Sequence, residues 1–188
     1  MHSRIAVAAV IALVVGACGG SATGPTGTSR LTVLLKDAPF ADARSLLVTF
    51  SEVSAHRADG DWTTVPFSDG ASSRTCDLKK LTSAQDVLGT GPLTPGRYTM
   101  VRLVVASAAL YFENAAAGPA CAPTVAAPSG RSAPVEIPSG EVRLNRPFEI
   151  TEGSGTTMLL DFDGDRSVRE TGAGRFMMTP VITVVSVQ

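Results

Sequence analysis

Three carboxylates at alternate positions are the strongest chemical signal in the chain. Asp161, Asp163 and Asp165 lie in LLDFDGDRS, and oxygen ligands so spaced suit a hard cation such as Ca²⁺. The calcium-loop pattern is not met. Counted from Asp161, the sixth position is Arg166 where Gly is needed, and the twelfth is Gly172 where Glu is needed. The preferred reading is a strand-end turn: Asp161 and Asp163 share one face, accept from turn amides and pair with Arg166 or Arg169. No metal is assigned, and calcium stays the alternative. His56, the only histidine beyond the leader, precedes an Asp59-Gly60 turn and reads as a hairpin residue, because nucleophilic catalysis wants a nucleophile, a base and a group orienting the base. Ser154 in Gly153-Ser154-Gly155 lacks the spacing of a nucleophile elbow. HExxH, phosphate-loop and zinc spacings are absent from the sequence. Aspartates and glutamates are plentiful, but no pair stands out as the acid and base of a glycosidase. Trp62, Tyr111 and Phe112 read mainly as core residues, with a sugar-stacking platform as the other reading.

The N-terminus decides where such chemistry would take place. Arg4 supplies a positive start, and an unbroken apolar run extends from Ile5 to Val15. A run of about 7–15 residues fits a signal-peptide core, whereas a membrane-spanning helix needs roughly 20. Val15-Gly16-Ala17-Cys18 then resembles the lipobox of bacterial lipoproteins. That resemblance implies cleavage before Cys18 and acylation of Cys18, with acyl chains together giving stable anchoring. No Asp comes directly after Cys18, so the outer membrane is the expected address in a Gram-negative host. Gly19 to Ser29 carries no charge and no large apolar side chain, and reads as a flexible tether with a span of roughly 18 Å. Cys76 and Cys121 are the two thiols left. Outside the cytoplasm an even pair points to a disulfide, with two free thiols as the other reading.

These residues need a scaffold, and the composition allows one. The hydrophobic fraction is 44%, which excludes wholesale disorder. A net charge of -1 excludes nucleic acid as the main partner, since phosphate binding needs a basic surface. From Arg30 onward the periodicity is that of strands. Leu31, Val33 and Leu35 alternate with Thr32, Leu34 and Lys36, and a turn comes next at Asp37-Ala38-Pro39. Leu46, Val48 and Phe50 alternate in the same way, toward Val53 and Ala55, and Trp62 opens the returning strand. Pro95-Gly96 leads into Arg97–Ala106, where Thr99, Val101, Leu103 and Val105 share a face and Tyr98 is placed for a tyrosine corner. Shorter strands are expected at 135–137, 141–144, 148–150, 158–162, 175–179 and 181–187. Leu78 to Gly89 is the one expected helix, capped by Ser83 and ended by Gly89. Residues 115–134, rich in Ala, Pro and Gly, read as a long surface loop inserted in the domain. Short strands at close spacing predict an all-β antiparallel sandwich with at most one short helix. The organisation is a signal peptide over 1–17, a lipidated Cys and tether over 18–29, and a single domain over 30–188.

Several phrases in fixed order resemble the bacterial family called domain of unknown function 4382. They are LTVLLKDAPF, VTFSEVSAH with DGDW, CDLKKL, LTPGRYTMVRLVV, VEIPSG, LLDFDGDRSV and TPVITVV, covering roughly Arg30 to Val187. The resemblance implies a prealbumin-like or immunoglobulin-like sandwich, usually behind a lipoprotein signal, and carries no mechanism. The whole reading is a lipid-anchored, non-enzymatic cell-envelope module that binds an envelope protein or a glycan, or serves structurally. A calcium-stabilised adhesion domain and, further off, a carboxylate-dependent hydrolase are the alternatives. Replacement of Cys18 by Ala should leave an uncleaved or soluble form. Detergent phase partitioning checks this: the wild type should enter the detergent phase and Cys18→Ala should not.

Overall fold

The computed structural model describes residues 28–38 and 43–188. The leader, Cys18 and the tether up to residue 27 lie outside the described residues. Thirteen strands succeed one another: β1 (Arg30–Ala38), β2 (Ser45–Arg57), β3 (Trp62–Thr64), β4 (Arg74–Asp77), β5 (Asp86–Pro92), β6 (Gly96–Tyr111), β7 (Cys121–Ala122), β8 (Ser132–Glu136), β9 (Glu141–Ile150), β10 (Gly155–Asp163), β11 (Val168–Gly172), β12 (Arg175–Met178) and β13 (Ile182–Val187). One helical turn, α1 (Gly164–Ser167), and one 3-10 turn, Leu78–Leu81, interrupt them. The strands form two sheets. The smaller has the order β13-β10-β1-β5; the larger runs β11-β12-β8-β6-β2-β4-β7, with β3 added to β2 and β9 to β6.

The expected alternation builds the core between these sheets. Leu31, Val33 and Leu35 of β1 and Met158, Leu160 and Phe162 of β10 are fully buried from one side. Leu46, Val48 and Phe50 of β2 and Val101 and Leu103 of β6 meet them from the other. Phe50 and Phe162 touch edge to face across the gap, 6.3 Å between centroids. Each such side chain contributes about 1.5–3 kcal/mol on burial. The ladder between β2 and β6 shifts register around Ser51. Side chains alternate faces, so one extra residue there is what allows Val53 and Ala55 to stay buried after Phe50. Tyr98 makes the expected corner: its ring is buried and stacks on Phe148, and its hydroxyl donates to the Thr94 carbonyl at 2.9 Å.

The structure corrects four expectations. The sandwich is mixed rather than wholly antiparallel, because β1 and β10 run parallel, as do β8 and β12. Residues 78–89 are not a helix. Leu78 and Leu81 plug the core from the 3-10 turn, and residues from Asp86 onward pair with β1. There Gly89 lies so close under Pro66 that a Cβ would stand 2.9 Å from its carbonyl oxygen. The stretches 141–144 and 148–150 are one strand, β9, folded along the first half of β6. The loop after β6 lies three residues earlier than expected, over 112–131, and holds the short strand β7; it is tied down and ends where β8 begins at Ser132.

What ties it is a buried polar node. Cys76 and Cys121 are disulfide-bonded and stand opposite one another in the β4–β7 ladder. Beside them Arg74, itself buried, pairs with Asp69 and Asp86 and donates to the Cys121 carbonyl, while the Cys121 amide donates to Asp86. The loop's Ala116 and Val125 then pack with Leu47 on the outer face of the large sheet. The bridge closes a sequence separation of 45 residues. Chain entropy alone gives such a closure roughly 4 kcal/mol. Replacing both cysteines by Ala should therefore lower the unfolding free energy by about 2–4 kcal/mol. Urea unfolding with and without reductant checks this, the reductant acting on the wild type only.

Candidate functional site

The cleft with the best binding chemistry lies at the end of the sandwich opposite Ser29. Ser29 is fixed at one end, accepting from Leu93 N on its carbonyl and from Gly153 N on its hydroxyl, both at 3.1 Å. From there β1 runs about 30 Å, at about 3.3 Å per residue, to the end that β10 and α1 share. At that far end Tyr111 closes β6. Its carbonyl accepts from Arg44 N at 2.8 Å, and the next amide, Phe112 N, donates to the Arg131 carbonyl at 3.0 Å. Segments 43–44 and 131–132 therefore flank Phe112. The parallel pairing of β12 with β8 then brings Phe176 alongside, 5.7 Å from the Phe112 ring centroid to centroid.

Around this aromatic pair is a cleft of about 610 Å³ lined by Phe112, Phe176, Arg131, Arg169, Asp165 and Glu170. That volume falls within the range of about 300–1,000 Å³ typical of small-ligand sites. The Arg131 guanidinium lies 4.1 Å from the centre of the Phe112 ring, a cation–π contact. Arg169 reaches Met177 Sδ at 3.5 Å. Among the described residues neither arginine makes an ion pair. Glu170 Oε1 accepts from Gly174 N in the hairpin tip between β11 and β12. That tip is built from Gly172, Ala173 and Gly174, all at positive φ, a backbone that glycine adopts without strain. The wall thus offers guanidinium donors and carboxylate acceptors above an apolar floor.

Each residue singled out in the sequence has a place, and few of them share one. Asp161 pairs with Lys36 at 2.9 Å. Asp163 caps α1, its Oδ1 accepting from Arg166 N at 2.9 Å, with Arg166 Nε 3.9 Å from Oδ2. Asp163 thus serves the turn, with Arg166 rather than Arg169 as its partner; Asp161 departs from the expectation, pairing with Lys36 across the β1–β10 ladder while its Oδ1 is buried without a hydrogen-bond partner. Asp165 alone turns to the cleft. Among the described residues no group of three or more Asp, Glu, His or Cys side chains is placed to hold a metal ion. His56 bonds Thr99 Oγ1 through Nδ1 at 3.0 Å and meets Trp62 edge-on at 5.0 Å. Ser154 is an exposed turn residue whose carbonyl accepts from Arg30 N. The three-aromatic platform is not formed. Trp62 lies under Arg102 toward the Ser29 end, 4.5 Å from ring to guanidinium, and Tyr111 packs beside Leu47 and Ala116. Only Phe112 reaches the cleft, and its true partner, Phe176, carries no sequence signal beyond that of a strand residue. Beneath Arg102, Glu52 is held below the usual carboxylate range by the Ser54 hydroxyl and by Arg102.

One titratable residue gives no sign of itself in the sequence. Asp37 continues the inward period of Leu31, Val33 and Leu35 and is buried. Its Oδ1 accepts from Gly164 N at 3.1 Å, and its Oδ2 is buried with no hydrogen-bond partner. Burial pushes its carboxyl up from 3.8 to about 8; the Gly164 amide opposes this, the Asp161 and Asp163 charges add to it, and Lys79 opposes it. A carboxyl pushed up in this way stays largely protonated at neutral pH.

A mixed-sheet sandwich with a polar, aromatic-floored cleft at the end remote from Ser29 is the class of protein that these features define. The chain belongs to the family described as Domain of unknown function (DUF4382), whose model matches residues 28–180. No curated protein and no solved structure matches the chain.

The Asp37 carboxyl sets an expected pH dependence. Its folded value lies above its unfolded one, so the folded chain binds the proton more tightly between 3.8 and about 8. Stability from this group is full below the unfolded value and is lost as pH rises through the folded one. Asp37→Asn keeps the acceptor for Gly164 N and removes the titration. The melting temperature of this variant minus that of the wild type should therefore rise from pH 4 to pH 8. A flat difference would mean that Asp37 titrates as an exposed carboxyl.

Proposed function

We propose that this chain is a lipid-anchored cell-envelope binding module without catalysis, and that its ligand is a glycan taken up by the cleft around Phe112 and Phe176. The observation that carries the reading is the cleft lining. A sugar presents an apolar C–H face and a rim of hydroxyls that both donate and accept. The Phe112–Phe176 floor suits the face. Arg131 and Arg169 can donate to hydroxyl oxygens, and Asp165 and Glu170 can accept from hydroxyl protons. The anchor rests on Val15-Gly16-Ala17-Cys18 after the apolar run. With Cys18 in the membrane, in the outer membrane of a Gram-negative host, the cleft opens away from the lipid surface because the tether enters at the other end of β1. Binding rather than turnover fits the surroundings of His56, which is engaged by Thr99 and Trp62. It also fits Asp161 and Asp163, which are engaged by Lys36 and Arg166.

The test is a panel of soluble oligosaccharides titrated into the folded domain. Phe176→Leu keeps apolar bulk and removes the ring. It should weaken the bound member of the panel about tenfold, given about 0.5–1.5 kcal/mol for an aromatic contact beyond area burial. Trp62→Leu, at the other end of the sandwich, should bind as the wild type does. Loss with Trp62→Leu and none with Phe176→Leu would move the site away from the cleft.

A further inference from the structure

Phe112 has a second side. Across it from the cleft is another hollow, of about 700 Å³, lined by Arg44, Lys79, Lys80 and again Phe112. The one side chain thus borders both spaces, with the Arg44 and Arg131 segments hydrogen-bonded to the chain on either side of it. The carboxylate in the second hollow, Asp77, is wholly buried and already accepts from Ser45 Oγ, Leu46 N and Lys79 N. Lys80 donates to the Gly118 carbonyl at 2.7 Å, and an ammonium carries three donors. Arg44 is exposed and makes no ion pair among the described residues. Taken together the two spaces show Arg44, Lys79, Lys80, Arg131 and Arg169 against Asp77, Asp165 and Glu170. The whole chain has a net charge of -1, so this end carries a local excess of positive charge that the rest of the molecule does not share.

We propose that the ligand is an acidic oligosaccharide long enough to cross Phe112, with a sugar ring in the Phe176 cleft and an anionic substituent in the hollow of Arg44 and Lys80. This rests on the glycan reading of the cleft and adds the charge and the direction. The guanidinium of Arg44 presents a planar fork that matches a carboxylate or an ester sulfate. The ammonium of Lys80 adds a point charge beside it. A neutral sugar would leave the Arg44 guanidinium, which has no ion pair among the described residues, without an anion.

Pairs of ligands that differ only in charge test the inference. Oligogalacturonate, oligomannuronate and hyaluronan fragments are each titrated against their carboxyl-reduced counterparts, and dextran sulfate fragments against dextran. In at least one pair the acidic member should bind about tenfold more tightly, the size of one charge-assisted hydrogen bond, and should weaken as salt is raised. The double variant Arg44→Gln, Lys80→Gln should bring that ratio close to one. Arg97→Gln with Arg143→Gln removes the same charge elsewhere on the surface and should leave the ratio in place. Carboxylate and sulfate are separated by which pairs respond. Equal binding of acidic and neutral members overturns this inference while the glycan reading survives. A ratio that persists in the Arg44 and Lys80 variant also overturns it. Binding of no member of any pair overturns both.

Discussion

The Asp77 carboxylate is the interaction on which the Phe112 end of this sandwich depends. A buried charge is costly unless hydrogen bonds answer it, and here three donors do: Ser45 Oγ at 2.8 Å, Leu46 N at 3.2 Å and Lys79 N at 3.3 Å. Those donors belong to the start of β2 and to the 3-10 turn. Ser45 Oγ in turn accepts from Ala116 N at 2.7 Å, and the Asp77 amide donates to the Ala120 carbonyl. One acid therefore sets where β2 begins, where β4 ends and where the long loop lies. Ser45 is also the register partner of Tyr111, so the position of Phe112, and with it both hollows, depends on the same node. The disulfide one residue before Asp77 secures this arrangement covalently.

The sequence is most legible where one face of a strand is buried. Leu31, Val33 and Leu35, or Leu46, Val48 and Phe50, can be read because period two has no rival explanation in so short a run. The stretch 78–89 misleads for a definite reason. Leu78 and Leu81 are spaced as on a helix, but they belong to a single 3-10 turn. The segment beyond that turn is held by its pairing with β1 and by the nearness of Pro66 to Gly89 and Gly91. Parallel pairing is out of reach, since nothing local tells β1 that its neighbour will be β10.

The site shows the same division. Asp163 can be assigned to a strand-end turn because its partner, Arg166, lies three residues on, whereas the pairing of Asp161 with Lys36 needs the parallel β1–β10 ladder. Cys76 and Cys121 can be paired by counting. Phe112 and Phe176 cannot, because their meeting needs the β6–β8–β12 succession, with one antiparallel and one parallel step. Asp37 is hidden by its own neighbours: Ala38 and Pro39 read as a turn, while the strand carries Asp37 inward one period beyond Leu35.

The parallel pairing of β1 with β10 has a mechanical consequence. The chain enters β1 at Arg30, and the strand lies lengthwise between β10 and β5, nine residues deep. A pull on that entry point, opposed by a load held at the Phe112 end, acts along the strand axis. It must shear both ladders at once instead of opening them one bond at a time. Hydrogen bonds loaded side by side share the force, so the fold is toughest along the line joining its entry point to its far end. Peeling would begin more readily from a side, at the edge strand β13.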